Sequence, residues 1–242
     1  HDAVVHLAGE PIASWRWGDA KKERIRSSRV EGTNLLANAL SQLESPPDVM
    51  ICASAIGFYG SRPGEQLDES SAPGEGFLAN VAVEWEAACA PVSEAGIRIV
   101  NTRFGVIVDR DDALIPRQLP LARIGLGGRV GNGKQHISWV ATDDVIGAIL
   151  HAIDRSEIAG PINVTSPNPV TNKEFAQTLS RAVGRPAVGW MPGLMAKLVF
   201  GEMGRELILA DQNVRPDRLL ESGYQFLHPK LETALRAALG TR

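Results

Sequence analysis

The sequence predicts an α/β fold, an open parallel sheet followed by a smaller, mainly helical lobe at the C-terminal end. Three observations carry this. Asp2–Leu7, Val49–Ile51, Ile97–Val100 and Pro161–Thr165 are apolar, β-branched runs too short for helices, and small or turn-forming residues follow them. Stretches with apolar residues at helical spacing separate the first three runs. From about Pro167 the chain reads as helices and short turns. The 242 residues suffice for one large α/β domain or for a domain with an appendage. The boundary is placed so that 1–166 form the first unit and 167–242 the lobe.

Composition narrows the function. Apolar residues make up 44% and charged residues 22%, ordinary for a globular protein. The net charge is −3 and no Lys/Arg run stands out, so no nucleic-acid partner is expected. No apolar run is long enough to span a bilayer, and no membrane partner is expected. Cys52 and Cys89 lie far apart in the sequence without CxxC spacing and read as buried thiols compatible with a reducing cytoplasm; no metal site is expected. The sequence starts at His1, inside an apolar strand, which implies that the start of the protein is missing. The His1–Leu7 strand would then stand as an exposed sheet edge.

Each element follows from local pattern. Asp2–Leu7 gives way to Ala8-Gly9-Glu10-Pro11, where small residues let a ligand lie against the backbone and Pro11 ends the extended segment. His6 alternates within this strand and reads as a core or sheet-edge histidine. Trp15-Arg16-Trp17 is irregular surface. Asp19 is placed to N-cap a helix running to about Leu43, with Ile25, Val30, Leu35, Leu36, Ala39 and Leu40 on its apolar face. Pro46-Pro47 closes it.

The strand at Val49 opens into a loop through Gly60. Ligands of open parallel sheets sit outside the carboxyl ends of the strands. Ser54 stands at that edge, with Gly57 and Gly60 allowing the backbone to turn; Ser54 either meets a ligand or satisfies the turn. The Pro/Gly/Ser/acidic loop 61–76 is either a lid or a solvated connection. Phe77–Ala90 is a helix with Phe77, Val81, Trp85 and Cys89 on one face. Ile97–Val100 continues into Thr102–Ile107, where Gly105 permits close backbone approach.

Leu114–Ile124 is helical in character. The glycines of 125–133 match neither GxxxxGK[ST] nor GxGxxG after a strand, and a hairpin turn at Gly131-Asn132-Gly133 is expected. Thr142-Asp143-Asp144 caps a helix over Val145–Ile153, and Thr171 or Asn172 caps the next. Leu194–Phe200, Glu206–Leu209 and Leu231–Leu239 complete the helical lobe.

Several fragments, in order, resemble the extended short-chain dehydrogenases/reductases. VVHLAG at 4–9 looks like that superfamily's strand-4 motif, and Arg29–Leu36 is similar to its NV-x-GT-x-NLL helix. Ser54…Tyr59-Gly60 resembles S-x(n)-YG, and Arg103…Val106 resembles R-x-x-NV. Gly131–Gln135 with Val140…Asp143-Asp144 resembles G-x-G-x-Q…V-x-DD. More closely, the chain resembles an atypical epimerase-family branch, family 39U, marked by GEPIA-x-x-RW (Gly9–Trp17), SR-x-x-x-T (Ser28–Thr33), WE-A (Trp85–Ala87) and GLGG-x-x-G-x-G-x-Q (Gly125–Gln135). That branch also carries a C-terminal domain of unknown function.

The resemblance implies a Rossmann-like doubly wound sheet whose first strands are missing here, and an NADP cofactor with NAD as the alternative. It places cofactor contacts at Leu7, Ala8, Gly9 and Arg29, at Ser54, and at the strand exit Arg103, Gly105, Val106 and Ile107. Ser54 and Tyr59 are the candidate catalytic residues. Tyr59 either replaces a missing acid/base or packs under the lid; Arg29 either contacts cofactor or forms a surface salt bridge; Arg103 either lines the site or pairs with a carboxylate such as Asp143. The superfamily's Tyr-x-x-x-Lys reads as Phe77 and Val81, which can neither lend a proton nor raise a neighbour's acidity. Ala141 stands where a His is common. Two functions compete: an oxidoreductase or epimerase acting on a carbonyl or sugar-nucleotide-like substrate, and a non-catalytic NADP-binding sensor or assembly protein. A homodimer through the two long helices is also implied.

Overall fold

The structure, a computed structural model, describes residues 2–13, 16–110 and 115–240. The expectations for His1, Trp15 and Leu114 lie outside the described residues. The chain opens with β1 (Ala3–His6), runs through a loop into the long helix α1 (Asp19–Ser41), and returns as β2 (Val49–Ala55). A 3-10 turn over Ile56–Tyr59 and a loop carrying β3 (Gln66–Leu67) lead to α2 (Phe77–Ala87) and the short α3 (Ala90–Glu94). Next come β4 (Arg98–Phe104), β5 (Val106–Val108), α4 (Ile115–Arg123), β6 (Gly128–Val130), β7 (His136–Ile137), β8 (Trp139–Ala141) and α5 (Thr142–Asp154). The remainder holds β9 (Gly160–Val164), β10 (Val170–Thr171), α6 (Asn172–Ala182), β11 (Gly189–Met191), α7 (Gly193–Met203), β12 (Asn213–Val214), α8 (Asp217–Glu221) and α9 (Leu231–Leu239).

Four strands form the central sheet in the order β1-β2-β4-β9, all parallel, with Val5 opposite Ile51, Ile51 opposite Val100 and Thr102 opposite Ile162. Parallel neighbours need crossover connections, and α1, α2 with α3, and α5 supply them. The two-residue period of β2 divides its side chains between the layers. Val49 and Ile51 pack towards α5, with Val145 and Ile149, while Met50 and Cys52 pack towards α1 and α2, with Ala37, Leu40 and Trp85. Helices on both faces make the sheet doubly wound, as expected. A further cluster joins Trp139, Leu119, Phe175, Leu179 and Leu235, drawing on residues either side of 166. Cys52 and Cys89 are buried free thiols. Among the described residues no helix is long and apolar enough to cross a membrane.

Several local expectations are corrected. Gly18, not Asp19, is the N-cap of α1, and no side chain caps it. The buried stripe of α1 is Ile25, Thr33, Ala37 and Leu40, whereas Leu35 is 75% exposed. Thr33 is tolerated inside because its hydroxyl takes a bond from the Trp85 indole (2.9 Å) and meets His6 Nε2 (3.1 Å). The expected hairpin does not form. Gly133 N–H closes a turn on Val130 O (3.1 Å) with Gly131 and Gly133 at positive φ, but β6 pairs with β11 and β7 with β10.

The helix after β8 begins at Thr142 with Ala141 as its N-cap. The Thr142 hydroxyl goes to Asp109 Oδ2 (2.8 Å), and Asp144 turns inward to the backbone of 227–228. Parallel pairing does continue past 167, in β11 with β6 and β12 with β3, over two or three residues each, too few to leave a pattern. The cap expected at Thr171 is present as a full capping box with Glu174.

Candidate functional site

β2 carries Ser54 and, through the 3-10 turn, Tyr59 to the carboxyl end of the sheet; β4 carries Arg103, the register partner of Ser54. These three predicted residues converge on one buried network. Glu86 of α2 receives both Arg103 Nε–H at Oε1 and Arg103 Nη2–H at Oε2, each at 2.8 Å, a bidentate pair. Ser54 Oγ–H donates to Glu86 Oε1 at 2.7 Å. Arg103 Nη1 donates to the Tyr59 hydroxyl (2.9 Å), which donates in turn to Asn163 Oδ1 on β9 (2.7 Å). The guanidinium lies over the Phe58 ring, 3.5 Å from its centroid. Arg103 does pair with a carboxylate, but with Glu86 rather than Asp143, which meets His228 instead.

Ser54, Tyr59 and Arg103 are 2%, 0% and 3% exposed, so these groups face one another rather than the solvent. Burial pushes the Tyr59 phenol up to about 12, although Arg103 and Asn163 pull the other way. Burial also works against the Arg103 cation, but its bonds to Glu86 and the Tyr59 oxygen hold its pKa above the ordinary value. Neither Glu86 nor Asn163 had a role in the sequence reading. Both could have been noticed as polar residues inside otherwise apolar runs, VAVEWEAACA and PINVT, where a polar group needs a partner.

The loop 61–76 is tied down by the same network. Glu69 accepts from Asn163 N–H at 2.9 Å, and burial raises its pKa. Gly74 N–H bonds Phe58 O, and a Cβ on Gly74 would stand 2.1 Å from Tyr59 O, so only glycine fits there.

The second set of predicted residues lies just past the end of β1 and from the β4–β5 junction into β5. Leu7 is 52% exposed, Ala8 and Gly9 are exposed, and Gly105, Val106 and Ile107 are half-buried. Arg29 reaches from α1 to this edge: Nη1 donates to Glu10 O (2.9 Å) and Ile25 O (3.2 Å), and a Cβ on Gly9 would stand 3.1 Å from Arg29 Cζ. Burial lowers the Arg29 pKa. Gly105 is held closely by protein: its Cβ would meet Ser138 O at 2.7 Å and Thr165 at 2.9 Å.

Phe77 opens α2, and its N–H and that of Leu78 donate to Glu206 Oε1 and Oε2 (2.9 and 2.8 Å). Trp17 meets the Phe77 ring edge-on at 5.5 Å, and Lys22 Nζ lies 4.7 Å from its centroid while pairing with Glu202 at 2.8 Å. Val81 is buried. Among the described residues no group of His, Cys, Asp and Glu is placed to hold a metal ion.

A doubly wound parallel sheet with small residues at its carboxyl edge is the frame of a Rossmann-like nucleotide-binding protein. The chain belongs to the NAD dependent epimerase/dehydratase family, whose model matches residues 1–165, and a domain of unknown function, DUF1731, matches residues 191–238. It is 38% identical over 234 residues to the epimerase family protein MT2273 of Mycobacterium tuberculosis (strain CDC 1551 / Oshkosh), covering 97% of this chain and 77% of that one. The crystal structure of human epimerase family protein SDR39U1 (isoform 2) with NADPH superposes with a TM-score of 0.94 at 33% identity, covering 100% of this chain and 83% of that one. The nucleoside-diphosphate sugar epimerase of Corynebacterium glutamicum matches with a TM-score of 0.78 at 34% identity, over 99% of this chain and 46% of that one. The resemblance drawn from the motifs to the 39U branch is borne out.

Proposed function

We propose that this protein is an NADP-dependent oxidoreductase or epimerase-like enzyme, working on a small carbonyl or sugar-nucleotide-like substrate between the sheet edge and the C-terminal lobe. The observation that carries the reading is the nearly bare peptide of Ala8-Gly9, which follows Leu7 at the end of β1 and lies exposed beside the Arg29 guanidinium. A dinucleotide needs such a surface, because any larger side chain would hold it off the backbone. The NADPH in the human relative's structure supports NADP, with NAD the alternative offered by the family description. The sugar-nucleotide class is supported by the Corynebacterium neighbour.

In this reading Leu7, Ala8, Gly9 and Arg29 hold the nucleotide, and Gly105, Val106 and Ile107 border the nicotinamide, which supplies or accepts the hydride when bound. Ser54, Tyr59 and Arg103 form the floor: their protons and lone pairs are engaged with Glu86 and Asn163, which supports positioning of the strand ends. Residues 1–166 then form the nucleotide-binding unit and 167–242 the substrate-side lobe. A homodimer pairing α1 and α2 is supported by Leu35 and Val83, 75% and 40% exposed, beside a cleft of about 550 Å³ between these helices. Buried, unpaired Cys52 and Cys89 support a cytoplasmic protein.

One observation favours the second reading, an NADP-binding sensor or assembly protein. Phe77 and Val81 stand at the positions read as Tyr and Lys, and the Tyr59 phenol is fully buried with its proton committed. Binding of NADPH to the protein expressed from its whole reading frame, followed by nucleotide fluorescence, and oxidation of NADPH over a panel of carbonyl compounds separate the two. Turnover is expected. Binding with no turnover across the panel assigns the sensor role, and no binding overturns both.

A further inference from the structure

Charge is unevenly shared in this chain. Residues 115–135 and 181–201 carry seven of its 25 Lys and Arg and none of its 28 Asp and Glu. All seven, Arg117, Arg123, Arg129, Lys134, Arg181, Arg185 and Lys197, are exposed, and among the described residues none of them forms an ion pair. The other 18 cations face 28 acids, so the rest of the molecule is strongly negative.

The two segments are distant in sequence but adjacent in space. β6 and β11 pair in parallel, with Arg129 directly opposite Trp190. The glycine-rich turn packs on the second segment, since a Cβ on Gly125 would touch Pro186 at 3.8 Å and one on Gly131 would lie 3.9 Å from Gly193.

The same surface is apolar. Ile124, Val188, Trp190, Leu194 and Leu198 are 66%, 69%, 62%, 70% and 65% exposed. In β6 and β11 the flanking residues are half-buried while Arg129 and Trp190 are exposed, so the cation and the indole project from one side of the ribbon. The Trp190 N–H is already satisfied by Gly131 O at 2.9 Å, which leaves an apolar ring to face outwards. Helix α7 exposes Leu194, Met195, Lys197 and Leu198 while burying Ala196. A stable monomer rarely leaves such a patch open to water.

We propose that this face, formed by α4, the β6–β11 ribbon and the first turns of α7, is a docking surface for a bilayer containing anionic lipids. Unpaired cations attract the negative surface, a tryptophan suits the headgroup boundary, and leucines and isoleucine enter the acyl margin. Charge complementarity commits the face to this occupant: the acidic remainder is repelled from the same surface and turns the patch towards it. The sequence reading found no spanning run and no Lys/Arg run because this feature is assembled only when β11 meets β6.

Co-flotation with vesicles of phosphatidylcholine alone and with 30% phosphatidylglycerol tests it. Partitioning onto the anionic vesicles is expected to exceed that onto neutral ones by more than about 25-fold and to vanish in 0.5 M NaCl. Each cation near the surface contributes about fivefold, so Arg129→Gln with Lys197→Gln should lower partitioning by about 25-fold, and Trp190→Ala with Leu194→Ser should lower it further. Circular dichroism and the melting temperature confirm that each variant is folded; the salt dependence of the unaltered protein stands without them. Equal partitioning onto both vesicles, none onto either, or variants that bind like the original overturn the proposal. A dimer that these substitutions dissociate overturns it too, by giving the face to a second copy.

Discussion

Glu86 and Arg103 meet through two parallel hydrogen bonds of 2.8 Å, joining the third turn of α2 to the carboxyl end of β4. Neither has another charged partner within the network, and the pair is largely buried. Removing one member of such a pair leaves the other charge unsatisfied. Glu86→Gln is expected to cost about 3–5 kcal/mol of unfolding free energy, and Ser54→Ala about 1 kcal/mol. A double-mutant cycle of Glu86→Gln with Arg103→Met in urea checks this. The double variant should lose less than the sum of the single ones, and strict additivity would mean the pair is not coupled.

Asp144 is fully buried and accepts from Leu227 N–H at 2.7 Å and His228 N–H at 2.9 Å. Asp144→Ala leaves both amides without an acceptor and should cost about 2–3 kcal/mol. Hydrogen exchange should show protection lost first at Leu227 and His228. Unchanged exchange there would remove Asp144 from the docking of the C-terminal segment.

The capping box at Thr171 gives a smaller effect. Its Oγ1 accepts from Glu174 N–H at 3.2 Å, and Glu174 Oε2 receives the Thr171 N–H at 2.8 Å. Thr171→Ala should lower stability by about 1 kcal/mol. Because these bonds hold the Glu174 carboxyl below its ordinary value, their contribution is present at neutral pH and fades as pH falls through the depressed folded-state pKa. Chemical unfolding at pH 7 and pH 3 should show the difference between the two proteins shrinking.

Both tyrosines of the chain, Tyr59 and Tyr224, have raised phenol pKa values through burial, Tyr59 up to about 12. A raised value means the folded state holds the proton more tightly. The associated stability is fully present below the unfolded pKa near 10 and is lost as pH climbs through about 12. Tyrosinate absorbance should therefore stay flat past pH 10 in the folded protein and rise together with loss of circular dichroism. An earlier rise at constant ellipticity would show a phenol open to solvent.

The strands of the main sheet were legible because buried parallel strands are continuous apolar runs, and β2 is one over nearly its whole length. The helices were legible by period, and Thr171 by its capping signature. What escaped were features made by contacts between distant segments. Leu35 fitted the apolar period of α1 yet faces outwards, because the helix rests on Ala37 and Leu40. The turn at Gly131–Gly133 has hairpin chemistry, but its flanking strands find other partners. Ser54, Tyr59 and Arg103 were found through motif likeness; Glu86 and Asn163, which bind them together, lie 32 and 104 residues from their partners Ser54 and Tyr59. No local spacing links them.

The strand pairs β3–β12, β6–β11 and β7–β10 cross the boundary near residue 166, as does Glu206 where it seats α2. Each gives the C-terminal lobe hydrogen-bond partners that belong to the sheet-bearing part. The lobe is therefore not a detachable module: excised at 167 it would carry three orphaned strands and half of a core. Heating should produce a single endotherm rather than two, and any rearrangement that moves the lobe away from the sheet must first unzip these short ribbons.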